Sequence, residues 1–165
     1  MFDFIDTVKK KQPKPRYCKS DNVKELERLH FAAKRTKYPD NPYPVKTTFR
    51  DDTANNLTKS VIAYIRLQGG FAARINSTGI FDNKLGKYRR SGARKGMSDI
   101  VATIGGKSIN IEIKIGRDKM RPEQLKVKQE VEAAGGIYIV ASSFDNFLEQ
   151  INKFENNKNL QKLWD

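Results

Sequence analysis

Apolar residues recur at helical spacing over residues 53–68. Leu57, Val61, Tyr64, Ile65 and Leu67 follow that spacing there, and Gly69-Gly70 ends the run. Downstream the period shortens to two. Ser98 to Ile104 reads as a strand, Gly105-Gly106 as a turn, and Lys107 to Ile115 as a second strand. The second strand alternates cleanly, with Ile109, Ile111, Ile113 and Ile115 on one face. Ser108, Asn110, Glu112 and Lys114 take the other. Phe71 to Ile75 is a short apolar strand candidate, and Ile137 to Ala141 is a buried-type run. Pro122 fits the first turn of a helix from about Arg121 to Ala134, stopped by Gly135-Gly136. Asp145 to Phe154 predicts a last helix. The order α-β-β-β-α-β-α predicts an α/β domain with a mixed sheet flanked by helices.

Upstream, Asp21 or Asn22 is placed to cap a helix running to about Lys37, with Leu26, Leu29 and Ala33 near one face. Residues 1–21 form a basic, proline-containing arm. Pro39, Pro42 and Pro44 forbid regular helix and mark a boundary. The expected organisation is an N-terminal extension, 1–50, with one helix, followed by the main domain, 51–165.

Composition narrows the chemistry. Cys18 is the single cysteine and His30 the single histidine, so a disulfide scaffold, a cysteine–histidine zinc site and a multi-histidine metal centre are all excluded. His30 lies on an amphipathic helix and reads as structural. No apolar run approaches the roughly 18 residues of a membrane span. The first twenty residues show no signal-peptide stretch, so the expected compartment is the cytoplasm. The charge changes the picture more. Thirty-two Lys and Arg against 19 Asp and Glu leave a formal charge of +13, the footprint of a protein that meets a polyanion.

Between Asp82 and Asp99 the chain carries no acid. It carries Lys84, Lys87, Arg89, Arg90, Arg94 and Lys95, with Tyr88, Gly92 and Gly96 among them. Cations on a glycine-containing loop suit phosphate oxygens, and an aromatic among them can stack on a base or sugar. Residues 76–95 are therefore expected to be a basic loop that binds nucleic acid. Asn76, at its start, reads equally as a site residue and as turn chemistry. A membrane surface fits less well, because no basic helix with bulky apolar residues opposite is evident.

The alternating strand raises a question of chemistry. A solvated sheet face explains polar residues opposite four isoleucines. A two-residue turn at Gly105-Gly106 suggests more, because it sets Asp99 directly opposite Glu112. Two opposed carboxylates repel, and a divalent cation converts the repulsion into coordination. Lys114, two residues on, shares the face of Glu112 and can orient a water or steady developing negative charge.

These residues carry a resemblance. Gly96-Met97-Ser98-Asp99-Ile100, Ile111-Glu112-Ile113-Lys114 and Gln124 on the following helix resemble the PD-(D/E)xK nuclease superfamily, and within it the VRR-NUC family. Arg74-Ile75-Asn76-Ser77-Thr78-Gly79 and Gly135-Gly136-Ile137-Tyr138-Ile139-Val140 extend the resemblance over about residues 54–152. It implies a restriction-endonuclease-like core and a Mg2+-dependent DNA endonuclease, with Mn2+ as a substitute ion. It implies Asp99 and Glu112 as metal ligands, the Ile113 carbonyl as a further ligand, Lys114 as the catalytic lysine, and Gln124 projecting toward the site. Many members carry a glutamate near the start of the first helix where Asn56 stands here, which weakens a second metal site; Asp51 or Asp52 is the alternative. Compact stand-alone members are associated with phage-like genomes. A resolvase of branched DNA acting as a homodimer is the expected role. The alternatives are a restriction-like or nicking nuclease and a non-catalytic nucleic-acid-binding module.

Overall fold

In the computed structural model, residues 16–76, 79–89 and 92–161 are described, with Ile80, Arg89 and residues 155–161 described by backbone alone. The elements run α1 (Asp21–Lys37), α2 (Ala54–Leu67), β1 (Phe71–Arg74), β2 (Ile80–Asp82), β3 (Lys87–Arg89), β4 (Ile100–Ile104), β5 (Lys107–Ile113), α3 (Pro122–Ala133), β6 (Ile137–Ala141) and α4 (Phe144–Gln161). The fold is mixed α/β. The four-stranded sheet has the order β1-β4-β5-β6, and β2 pairs with β3 separately. The first two pairings of the main sheet are antiparallel and β5–β6 is parallel, joined through α3.

The β4–β5 hairpin keeps the expected register, with Ile100 opposite Ile111 and Ile104 opposite Lys107. Gly105 and Gly106 have φ of 52° and 74°. Two consecutive positive values are what a type I′ turn requires, and two glycines meet them without strain.

Leu57, Val61 and Ile65 of α2 are buried in one cluster with Ile100, Ile109, Ile111 and Ile139 of the sheet and Phe144, Phe147 and Ile151 of α4. Val23 and Leu26 of α1 belong to the same cluster, as does Phe49 beyond the prolines. Asp51 ties the parts together: Oδ1 accepts the Tyr17 hydroxyl at 2.7 Å and Oδ2 accepts the Phe144 N–H at 3.0 Å.

Several expectations change. Ser20, rather than Asp21 or Asn22, caps α1, its hydroxyl accepting the Val23 N–H at 3.4 Å and donating to Asp145 at 2.9 Å. Residues 76–95 are not one irregular loop. They contain the β2–β3 hairpin, whose Asp82 carboxylate accepts the Lys84 and Leu85 N–H groups and whose Gly86 has φ of 60°. The strand expected to reach Ile115 ends at Ile113, and α4 runs past Phe154 to Gln161. The polar face of β5 is exposed at Ser108 but buried at Asn110 and Glu112, and Lys114 just beyond the strand is buried too. The basic arm over residues 1–15 lies outside the described residues.

Candidate active site

β4 and β5 leave the hairpin antiparallel, so residues just before β4 and at the end of β5 meet at one end of the sheet. Asp99 precedes β4. Its Oδ2 accepts the Ile113 N–H at 2.9 Å, and its own carbonyl accepts the Ile75 N–H at 2.8 Å. The carboxylate is thus held by the neighbouring strand rather than left to rotate. Ser98, also buried, donates within 3.1 Å to the Asn110 Oδ1 and the Ile100 carbonyl, which fastens this corner to β5.

Glu112 lies beside Asp99 and is 2% exposed. Its Oε1 is 3.1 Å from the Lys114 Nζ and also accepts the side-chain amide of Gln124. Its Oε2 is buried with no hydrogen-bond partner. Burial raises the Glu112 carboxyl above the usual carboxylate range, and the Asp99 charge pushes the same way. Lys114 and Gln124 oppose the shift without cancelling it. Lys114, 8% exposed, has a second acidic partner, Asp118 Oδ2 at 3.2 Å.

Gln124 reaches the site because of how α3 starts. Its Oε1 accepts the Arg121 N–H at 2.9 Å, so the side chain folds back at the helix entrance and its amide nitrogen is free for Glu112. The entrance is fixed from below by Gly96, with φ of 86°, where a Cβ would run into the Glu123 backbone carbonyl. Only glycine allows this approach of the loop to the helix.

The structure therefore brings Asp99, Glu112, Lys114, Gln124 and the Ile113 backbone together. Asn56 is elsewhere engaged: its Nδ2 donates to Asp52 at 2.8 Å, and Asp52 pairs with Arg50. Among the described residues no group of three or more His, Cys, Asp or Glu side chains is arranged to hold a metal, so Asp51 and Asp52 do not join Asp99 and Glu112. Asn76 is exposed and directly follows Ile75, the residue bonded to Asp99.

The basic residues divide. Lys84 and Lys87 are exposed on the β2–β3 hairpin beside an edge-on Phe81–Tyr88 pair at 5.1 Å. Arg94 forms a two-pronged pair with Glu130 on α3, at 2.6 and 2.8 Å, and Lys95 pairs with Glu123 at 2.5 Å. These two cations pin the loop to α3. Arg89 is described by backbone alone, and Arg90 lies outside the described residues.

Two site residues escaped the sequence reading. Asp118 follows Lys114 by four positions on a turn, where no periodicity singles it out. Tyr138 faces the same side of the sheet through its pairing with Asn110. Its hydroxyl is buried, and burial first, then the Glu112 and Asp99 charges and a side-chain interaction with Glu112, raise its pKa.

The donor set tests well against a small divalent cation. Mg2+ takes one or two carboxylates and keeps several waters. Two adjacent carboxylates, one with a buried unsatisfied oxygen, have this character, and a cation would remove both the repulsion and the orphaned acceptor. In comparison with known proteins, no family model matches the chain and no curated relative is found.

Proposed function

We propose that the chain is a metal-dependent nuclease of PD-(D/E)xK type that hydrolyses phosphodiester bonds in DNA, with branched DNA as the substrate class. One observation carries the reading. Two carboxylates on one sheet face share a corner with a buried lysine and a glutamine, and one carboxylate oxygen is left without a partner. A purely structural buried acid would be expected to satisfy both oxygens.

Asp99, Glu112 and the Ile113 carbonyl would hold the cation. Bound there, it would supply Lewis acidity toward a phosphoryl oxygen and a water of lowered pKa. The protein's own contributions are positional and electrostatic. Asp99 is fixed by the Ile113 N–H, so its second oxygen keeps a constant direction. Gln124 and Lys114 hold Glu112 by one oxygen and thereby aim the other. The Lys114 ammonium, shared between Glu112 and Asp118, would steady negative charge developing on a phosphoryl oxygen held at this corner. Exposed Lys84 and Lys87 supply phosphate contacts that set affinity without chemistry.

The test is Mg2+-dependent cleavage of labelled DNA by wild type and by Asp99→Ala and Glu112→Ala. Loss of cleavage with DNA affinity retained supports the reading. Near-normal cleavage by either variant overturns it.

A further inference from the structure

A groove of about 770 Å3 runs between α1, α2 and the edge strand β1. Five cations line it: Lys34, Lys37, Lys59, Arg66 and Arg74. No carboxylate lines it among the described residues. Its floor is apolar, with Ile62, Ala63 and Leu67 of α2. At its wall the His30 Nδ1 is buried with no hydrogen-bond partner, and the ring meets Phe49 edge-on at 5.1 Å. Lys37 and Lys59 are exposed and form no ion pair among the described residues. Lys34 and Arg66 spend one N–H each on the backbone, at Val45 and Ala72.

We infer that this groove binds a single strand of nucleic acid, bases toward the apolar floor and phosphates along the cationic rim. The inference rests on the reading of the chain as a nucleic-acid enzyme and adds a second binding surface to it. A duplex presents phosphates but hides its base faces, so an apolar floor between cations matches a strand whose bases are unstacked. The groove also connects to the catalytic corner. Arg74 pairs with Ile100 in the sheet, and the next residue, Ile75, bonds Asp99. A strand leaving that corner around β1 would enter the groove at Arg74. A substrate with an unpaired arm beside the scissile bond, such as a splayed fork or flap, is the class this geometry favours.

The experiment measures binding of fluorescein-labelled dT20 by anisotropy in EDTA, over a range of NaCl, so that no cleavage enters. Lys37→Glu/Lys59→Glu is compared with Lys107→Glu/Lys153→Glu, which makes the same charge change at exposed sites outside the groove. Two lost phosphate contacts flatten the slope of log affinity against log salt by about 1.4, and affinity falls roughly tenfold or more. The control pair changes the slope little. As a measurement on wild type, dT20 should protect Lys37 and Lys59, but not Lys107, from amine acylation. Equal slopes in the two double variants, or acylation of Lys37 and Lys59 unaffected by dT20, would overturn the groove. Failure of Mg2+-dependent cleavage would strike the catalytic reading and leave this result standing.

Discussion

The side-chain amide of Gln124 donates to the same Glu112 oxygen that the Lys114 ammonium approaches, and the other oxygen of Glu112 has no partner. Under the proposed nuclease function, the asymmetry makes Gln124 a positioning residue. Its amide holds the carboxylate in one rotamer from the first turn of α3. Groups that orient a ligand in this way typically alter metal affinity or activity about 10–100-fold when removed. Gln124→Ala should lower the cleavage rate by that order and raise the Mg2+ concentration needed for half-maximal activity. DNA affinity in EDTA should stay unchanged. Steady-state cleavage across a Mg2+ series checks this.

Burial raises the Glu112 carboxyl, and the sign of its effect on stability follows. A carboxyl with a raised folded-state pKa favours the fold below its unfolded pKa, and that contribution is lost as pH rises through the folded value. In EDTA at neutral pH, Glu112→Gln should therefore melt higher than wild type. The gain should shrink as pH falls toward the ordinary carboxylate range. Mg2+ should reverse the order, because it stabilises only the protein that binds it, by about 2.7 kcal/mol at a hundredfold excess over Kd. Thermal melts at several pH values, with and without Mg2+, read both effects.

Arg94 gives a prediction of the opposite sense. Its guanidinium is occupied by Glu130, and both side chains are about half exposed. Such a pair contributes about 0–1 kcal/mol to stability. Glu130→Gln should leave the melting temperature nearly unchanged and release a cation to phosphate. Duplex affinity should then rise a few-fold, with the salt slope steeper by about 0.9. An unchanged slope would assign Arg94 to the structural tether alone.

The N-terminal segment is part of the fold's stability. Val23 and Leu26 are 0% and 2% exposed and pack into the cluster that holds α2 and α4. Burying such side chains contributes about 1.5–3 kcal/mol each. Deletion of residues 1–45 should abolish the cooperative thermal transition seen by circular dichroism. A truncated protein melting within a few degrees of the full chain would contradict this.

The sheet and the corner that joins Asp99 to Glu112 were legible because they rest on strong local signals. Four isoleucines at period two, two glycines in the turn and helix-stopping glycine pairs place β4, β5, α3 and β6 with little freedom. That register predicts the meeting of Asp99 and Glu112 without further information. The rest depends on tertiary contacts. The burial of Asn110, Glu112 and Lys114 is invisible in the alternating pattern, because the same pattern describes a strand with one wet face. The β2–β3 hairpin is only three residues per strand and carries three cations, Lys84, Lys87 and Arg89, so charge masked its turn chemistry. The pairing of Arg94 and Lys95 with α3 joins residues about thirty apart, beyond any local signal. The engagement of Asn56 by Asp52 depends on the Arg50–Asp52 pair at the entrance to α2.

The most direct test is a cleavage assay on matched substrates: linear duplex, single strand, splayed arm, flap and four-way junction. Wild type and Glu112→Ala are run side by side with Mg2+ and with EDTA. Wild type should cut a branched substrate only with Mg2+, and Glu112→Ala should not cut it at equal DNA occupancy. Tight binding of wild type without cleavage under Mg2+ or Mn2+ would contradict it and leave a nucleic-acid-binding module.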